Sequence, residues 1–165
     1  MLTESKSGNV LAIHDLGKLH STDKLGAKDE EKSLRYYSEA LKGFLEVEPS
    51  SKKLKPYVQY RIGKIYCYGS GTEQNYQKAF EWFERSAKQK NKFAQYSLAN
   101  LYYYGNGVEK DLSLAFLWYQ KSSAQGQPYA SYAIAQMYSK GEYVSQGRET
   151  AQRYYKAALS GFLEL

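Results

Sequence analysis

The sequence predicts an all-α protein, a solenoid of about four stacked antiparallel helix pairs, and three observations predict it. First, the chain repeats when shifted by 36 residues: Gly69 falls on Gly105 and Gly141, Tyr66 on Tyr102 and Tyr138, Tyr60 on Tyr96 and Tyr132, and Ala79 on Ala115 and Ala151. Self-similarity at a period of 20–50 residues is the mark of units that stack because none buries its apolar face alone. Second, each unit holds two apolar-periodic segments at helical spacing. Third, the punctuation between those segments is glycine-rich, and nothing alternates as a strand would.

The units follow in order. A longer shift of 46 residues lays Leu16-Gly17-Lys18 on Ile62-Gly63-Lys64 and Tyr36-Tyr37 on Trp82-Phe83. The ten extra residues fall around Glu48 to Lys55, which read as an enlarged surface connection. The repeats are therefore expected at roughly 9–50, 55–91, 92–127 and 128–165, all within one domain spanning 1–165. In the third, Ala94, Leu98, Ala99, Leu101 and Tyr102 share one face of a first helix. Tyr104-Gly105-Asn106-Gly107 reverses the chain, and Leu112, Ala115, Phe116, Trp118 and Tyr119 mark a second helix. Pro56 and Pro128 stand where first helices begin, a position at which the missing amide costs nothing. Gly17, Gly63, Ala99 and Ala135 form one small-residue column beside the large Leu16, Ile62, Leu98 and Ile134, so neighbouring helices can interlock. The fourth unit departs from the pattern, with Tyr143 in place of the second turn glycine and a second helix expected one residue short. The first unit has Asp23-Lys24 where the others have a glycine turn.

Composition bounds the function. The chain of 165 residues is long enough for a real core, and 42% hydrophobic with 24% charged residues is ordinary for a globular protein. Tyrosine is not ordinary: 18 Tyr stand against 6 Phe and 2 Trp, a bias toward half-buried faces with a wet edge. The net charge of +6 favours acidic partners without demanding nucleic acid. One cysteine, Cys67, makes no internal disulfide, no apolar run is long enough for a membrane span, and Met1 to Asn9 hold no signal-peptide core. The expectation is a soluble, cytoplasmic protein that does not engage a membrane.

The repeat columns resemble the Sel-one-like repeat (SLR) family, relatives of the tetratricopeptide repeats. The third unit carries the resemblance best, in Ala94, Leu98, Tyr102, Gly105-Asn106-Gly107-Val108, Asp111, Ala115, Trp118-Tyr119, Lys121 and Gly126; the second adds Ile62-Gly63, Tyr66, Gly69-Ser70-Gly71, Lys78-Ala79 and Trp82-Phe83. The likeness covers nearly all of the chain from residue 9. It implies a right-handed α/α superhelix whose concave face binds a protein or peptide. The tract is also similar to the repeat region at the C-terminal end of mobilisation relaxases, which implies an alternative function as an accessory region near nucleic acid.

Helical geometry nominates the groove. Opposite the core positions of the first helices lie Tyr57, Tyr60, Lys64 and Cys67, then Phe93, Tyr96, Asn100 and Tyr103, then Tyr129, Tyr132, Gln136 and Ser139. One column thus reads His14, Tyr60, Tyr96, Tyr132. Rings with adjacent lysines and amides have the composition of a recognition surface; equally, a tight superhelix would pack those rings on each other as an inner core. The expected partner-binding residues are Tyr57, Tyr60, Lys64, Phe93, Tyr96, Asn100, Tyr103, Tyr129, Tyr132 and Gln136.

Chemistry finds no foothold in the sequence. His14 and His20 have no cysteine or carboxylate partners at ligand spacing, so no metal is expected. The glycine turns follow helices and lack the terminal Gly-Lys-Ser/Thr of a phosphate loop. No base stands beside Cys67, and no paired carboxylates stand out. The expectation is a non-catalytic scaffold without cofactor. Lys52, Lys53 and Lys55 in one connection, and Lys88, Lys90 and Lys92 in the next, are either a basic strip for an acidic or nucleic-acid partner or simply solvated turns. Arg153 to Leu165 repeats Arg35 to Val47 at nine of thirteen positions. With Phe162, Leu163 and Leu165 ending the chain, this implies a longer parent protein or self-association through the last helix.

Overall fold

The computed structural model describes residues 2–22 and 28–164, and among these the chain forms eight α-helices and no strand. They are α1 (Leu2–His20), α2 (Glu30–Val47), α3 (Lys55–Tyr68), α4 (Tyr76–Lys88), α5 (Lys92–Tyr104), α6 (Leu112–Ser123), α7 (Pro128–Lys140) and α8 (Arg148–Leu163), with one 3-10 turn at Glu48–Ser50. They fall into two compact units, Met1–Ser86 and Ala87–Leu165.

Each pair of helices is closed by the same bond. The residue that opens the second helix donates its amide to the carbonyl at the end of the first: Asp29 to His20 (3.0 Å), Asn75 to Tyr66 (2.8 Å), Asp111 to Tyr102 (3.0 Å) and Gly147 to Tyr138 (3.0 Å). In three of the four, the opening side chain also caps its helix: Asp29 accepts from the Lys32 amide, Asn75 from Lys78, and Asp111 from Ser113 and Leu114. A carboxylate or amide oxygen there satisfies donors that have no partner within the helix. Gly147 supplies no such oxygen. The first pair makes the closing bond too; the Asp23-Lys24 stretch, where the sequence departs from the glycine turn, lies outside the described residues.

First helices in the other three pairs end on a left-handed glycine, Gly69, Gly105 or Gly141, with φ of 65°, 73° and 71°. Two residues on, Gly71 and Gly107 repeat that conformation, and Tyr143 is forced into it at φ 64°. The expected shortening of the fourth pair's second helix does not occur. Helix α8 begins in register with α6, one repeat later, and runs on to Leu163, because Arg148 follows Gly147 as Leu112 follows Asp111.

Within the first unit the core is Val10, Ala40, Leu41, Phe44, Val47, Val58, Ile62 and Ile65, with Tyr66 and Trp82 packed against it. In the second, Ala99, Ala115, Phe116, Tyr119, Ala130, Ile134 and Met137 play that part. The small-residue column is what lets the helices close. A Cβ on Gly17 would sit 3.1 Å from the Tyr37 ring, and one on Gly63 would sit 2.6 Å from Phe83. Ala99 and Ala135 are fully buried.

A second column is buried and polar. Ser86 and Ser122, one repeat apart, are both inaccessible, and each hydroxyl donates to the backbone carbonyl that opens its own pair, Pro56 and Lys92 (2.7 Å for Ser122). Gln59 and Gln95 are likewise buried, and Gln95 donates to the Ala87 carbonyl (3.2 Å) while accepting from Gln125 (2.7 Å). The connection around Glu48 to Lys55 is more than a surface insertion: Ser51 is buried within it, and its hydroxyl donates to the Val47 carbonyl at 2.9 Å.

Candidate functional site

A ring pair recurs in every repeat, between the nominated column on the first helix and an aromatic on the second. His14 meets Tyr37 (5.2 Å between centroids), Tyr60 meets Phe83 (6.0 Å), Tyr96 meets Tyr119 (5.9 Å) and Tyr132 meets Tyr155 (5.5 Å). These separations are those of tilted and edge-to-face aromatic contacts, which fix ring orientation. Each column residue is held on one side by its own repeat. What it offers on the other side differs between the two units.

In the second unit the other side is a cleft of about 480 Å³. Helix α5 lines it with Tyr96, Asn100, Tyr103 and Tyr104, and α7 with Tyr129, Tyr132, Ala133, Gln136 and Lys140; Tyr119 of α6 reaches it from below. Tyr96 bridges the two walls, 5.9 Å from Tyr119 and 6.0 Å from Tyr129. Tyr129 and Tyr132 remain 51% and 44% exposed, so the rings are propped in place without being covered. Tyr129 is propped by Phe162 of α8, edge-on at 4.8 Å. Phe162 itself remains 37% exposed despite that contact, and Leu163 is 80% exposed; Leu165 lies outside the described residues.

The polar groups of this cleft are fixed as well. Tyr119 donates its hydroxyl to Asn100 Oδ1 at 2.6 Å, and Tyr103 donates to Glu142 Oε2 at 2.7 Å. Gln136 approaches the Tyr132 hydroxyl at 3.4 Å. Its bond to the Glu142 carboxylate, then burial, pushes the Tyr103 phenol up to about 12. Burial, then the surrounding tyrosines, raises Tyr119 further. At neutral pH both are uncharged donors. The cleft thus presents ring faces, phenol hydroxyls, two amides and one ammonium, and no activated nucleophile.

Six of the nominated residues, Tyr96, Asn100, Tyr103, Tyr129, Tyr132 and Gln136, line this one cleft. Phe93 sits on α5 but does not line it; its ring lies 5.5 Å below the Lys92 ammonium. Tyr57, Tyr60 and Lys64 belong to α3 in the first unit. There the Arg61 guanidinium covers the Tyr57 ring at 4.8 Å, and burial pushes Tyr60 up to about 12. Tyr119, Tyr104 and Lys140 were not nominated. Tyr119 is on a second helix, where its column reads as core, and Tyr104 and Lys140 end their helices beyond the face used.

His14 differs from the tyrosines of its column. It is only 5% exposed, and burial followed by the Arg61 charge lowers its pKa to about 4. His20 is half-buried and stacked on Tyr36 at 5.4 Å. Burial raises the Cys67 thiol, which makes it a poor nucleophile. Among the described residues no three His, Cys, Asp or Glu gather as a metal would require, and no helix is long and apolar enough to cross a membrane. The lysine connections stand in different units, Lys52, Lys53 and Lys55 in the first and Lys88, Lys90 and Lys92 in the second. Lys55 pairs with Glu48 at 3.8 Å, and the Lys92 ammonium meets the Gln125 carbonyl at 3.4 Å.

Comparison with known proteins bears on the fold. The Sel1 repeat family model matches residues 10–43, 56–91, 92–127 and 128–161. Among solved structures, a Sel1 repeat protein from Oxalobacter formigenes is similar over 92% of this chain and 58% of its own, at 24% identity and a TM-score of 0.71. The c5321 protective antigen of uropathogenic Escherichia coli, which displays an SLR fold, is similar over 95% of this chain and 39% of its own, at 20% identity and 0.69. The immunity protein Pa5087 from Pseudomonas aeruginosa is similar over 92% and 68%, at 19% identity and 0.52. No curated protein matches the chain. At these identities the solved structures establish the fold, and the chain spans only 58% and 39% of the length of the first two.

Proposed function

We propose, from the premise that this chain belongs to the Sel1 repeat family of helical scaffolds, that its α5–α7 cleft binds an extended peptide segment of a partner protein. Sel1 repeats commonly mediate protein interactions and are typically non-catalytic. The observation that carries the finer reading is the Tyr96 ring spanning Tyr119 and Tyr129 while the neighbouring Tyr129 and Tyr132 keep open faces. Rigid rings already held by their own repeat lose little entropy on binding, which is the property of a good anchor. Asn100 and Gln136 stand one helical repeat apart and supply amides for a peptide backbone. In this reading the chain performs no catalytic step and works in the cytoplasm, where a lone thiol stays reduced.

The test is affinity for peptides selected from a displayed random library. Tyr96→Ala/Tyr132→Ala should weaken the selected peptides by about 1–2 kcal/mol per ring, roughly tenfold each. Unchanged affinity in a variant whose helical melt is retained would remove the cleft from the mechanism. Duplex DNA binding that collapses between low and moderate salt, with no peptide selected, would favour the nucleic-acid reading instead.

A further inference from the structure

The first unit contains a pocket that the peptide reading does not use. It measures about 230 Å³ and is built by Lys18 of α1, Arg61 and Lys64 of α3, and the Ser70 turn, with His14 and Tyr37 behind. Three cations face it and no carboxylate lines it. The described acid nearest to Arg61 is Asp15, 3.7 Å from Nη2 and more than half exposed. Three positive charges against one leave about +2 around a small cavity.

Two of the cations, Arg61 and Lys64, are held in place, while Lys18 is exposed. Arg61 donates Nη1 to His14 Nδ1 at 3.2 Å. Arginine has no acceptor, so Nδ1 of His14 can only accept from it, although Asp15 Oδ1 stands 3.4 Å from the same nitrogen; burial, then the Arg61 charge, keeps the imidazole neutral. Arg61 also donates Nη2 to the Tyr57 hydroxyl, and its side chain is only 15% exposed. Its Nε is buried with no hydrogen-bond partner among the described residues, an expensive omission for a guanidinium. Lys64 hovers over the Tyr60 and Tyr68 rings at 6.0 and 5.5 Å. Burial chiefly, then the Arg61 and Lys18 charges, lower its pKa. A fold that brings the half-buried Arg61 and Lys64 to one pocket with the exposed Lys18 has placed repulsion there, and an anion between them removes it.

We infer that this pocket binds a phosphoryl dianion, whether a free phosphate or a phosphorylated side chain of a peptide. The charge of a phosphomonoester at neutral pH, about −1.5 to −2, matches the local excess, and its three equivalent oxygens suit a guanidinium, two ammonium groups and a hydroxyl. A single carboxylate would leave one positive charge uncompensated. This inference concerns Lys18, Arg61 and Lys64 of the first unit, so it stands or falls separately from the Tyr96 cleft.

The experiment titrates the full chain with sodium phosphate at low ionic strength, followed by calorimetry and amide chemical shifts. Saturable binding is expected, with shifts concentrated at Lys18, Lys64 and Ser70. Lys18→Gln and Lys64→Gln should each weaken it about five- to tenfold, and the Lys18→Gln melt should match the wild type because that ammonium is exposed. A phosphoserine peptide that binds more tightly than phosphate, with its unphosphorylated twin silent, assigns the source to a modified partner. Equal affinities for the phosphoserine peptide and phosphate assign it to the free group. Acetate binding as tightly as phosphate, no saturation, or affinity unchanged in Lys18→Gln/Lys64→Gln would each overturn the inference.

Discussion

Tyr119 and Asn100 join two helices of one repeat through a 2.6 Å hydrogen bond, and both residues line the same cleft. Removing one partner leaves the other polar atom half-buried and unsatisfied. Tyr119→Phe keeps the ring contacts with Tyr96 and Tyr103 and deletes only the donor. It should lower unfolding stability by about 1–2 kcal/mol in urea. A loss below ~0.3 kcal/mol would show that water replaces the bond and that the cleft floor is wetter than the packing implies.

Gly71 and Gly126 share a left-handed backbone but not an environment, and that separates two costs. A Cβ on Gly71 would lie 2.4 Å from the Ser38 amide nitrogen and 2.5 Å from the Leu34 carbonyl oxygen, both backbone atoms of α2. At Gly126 nothing stands within 4 Å. Gly126→Ala should cost only the conformational penalty, about 1 kcal/mol. Gly71→Ala adds a collision that no side-chain rotation relieves, and it should cost upward of about 3 kcal/mol in the same thermal or urea measurement. Equal losses would mean that the turn carrying Gly71 moves freely from α2.

How much of this was legible follows from which physical signal each feature leaves. Helix pairs, turn glycines and the Gly17–Gly63–Ala99–Ala135 column write themselves in the spacing of the repeat, because stacking demands the same residue size at the same place. Six residues of the cleft were reachable from helical geometry, since Tyr96 and Tyr132 lie opposite Leu98 and Ile134. Tyr119 was not, because an aromatic on a second helix has the pattern of core and gives no sign that its edge reaches a cleft. Buried Gln95 and Ser122 were hidden for the opposite reason: polar residues read as surface until their carbonyl partners, Ala87 and Lys92, are known. The Lys18–Arg61–Lys64 pocket was legible in part: the 46-residue shift lays Lys18 on Lys64 and Arg61 lies one turn before Lys64, but repeat spacing alone does not show that the three share a cavity.

The buried phenols predict weakening at alkaline pH. Tyr60 is pushed up to about 12 in the fold by burial, whereas an unfolded tyrosine ionises near 10. Above pH ~10 the unfolded chain loses a proton that the native chain keeps, so stability is full below that pH and falls as pH rises toward 12. Lys64, whose pKa is lowered in the fold, contributes with the opposite sign, so the difference between variants is the clean readout. Tyr60→Phe should flatten the decline of the urea midpoint measured between pH 9 and 11 (both values are ~1 unit from the unfolded pKa). An identical slope in the variant would mean that Tyr60 ionises within the native fold.

Tyr143 occupies, at φ 64°, the position that Gly71 and Gly107 fill in the preceding repeats. An L-residue with a bulky side chain pays about 1–2 kcal/mol for that conformation. The ring recovers some of it through a tilted contact with Phe116 at 5.6 Å, but 56% of the residue stays exposed, so the recovery is partial. Glycine adopts the same turn without steric cost while giving up some entropy on folding, about 0.5–1 kcal/mol. The balance favours Tyr143→Gly by a few tenths to about 1 kcal/mol. Asparagine, which tolerates the left-handed region and loses less entropy, should do at least as well. The comparison is read from thermal melts of the two variants beside Tyr143→Ala, which removes the ring and keeps the strain. Stabilisation by Gly and Asn with destabilisation by Ala isolates backbone strain as the cause. If all three destabilise, the Phe116 contact outweighs the strained turn, and the tyrosine is there for its ring.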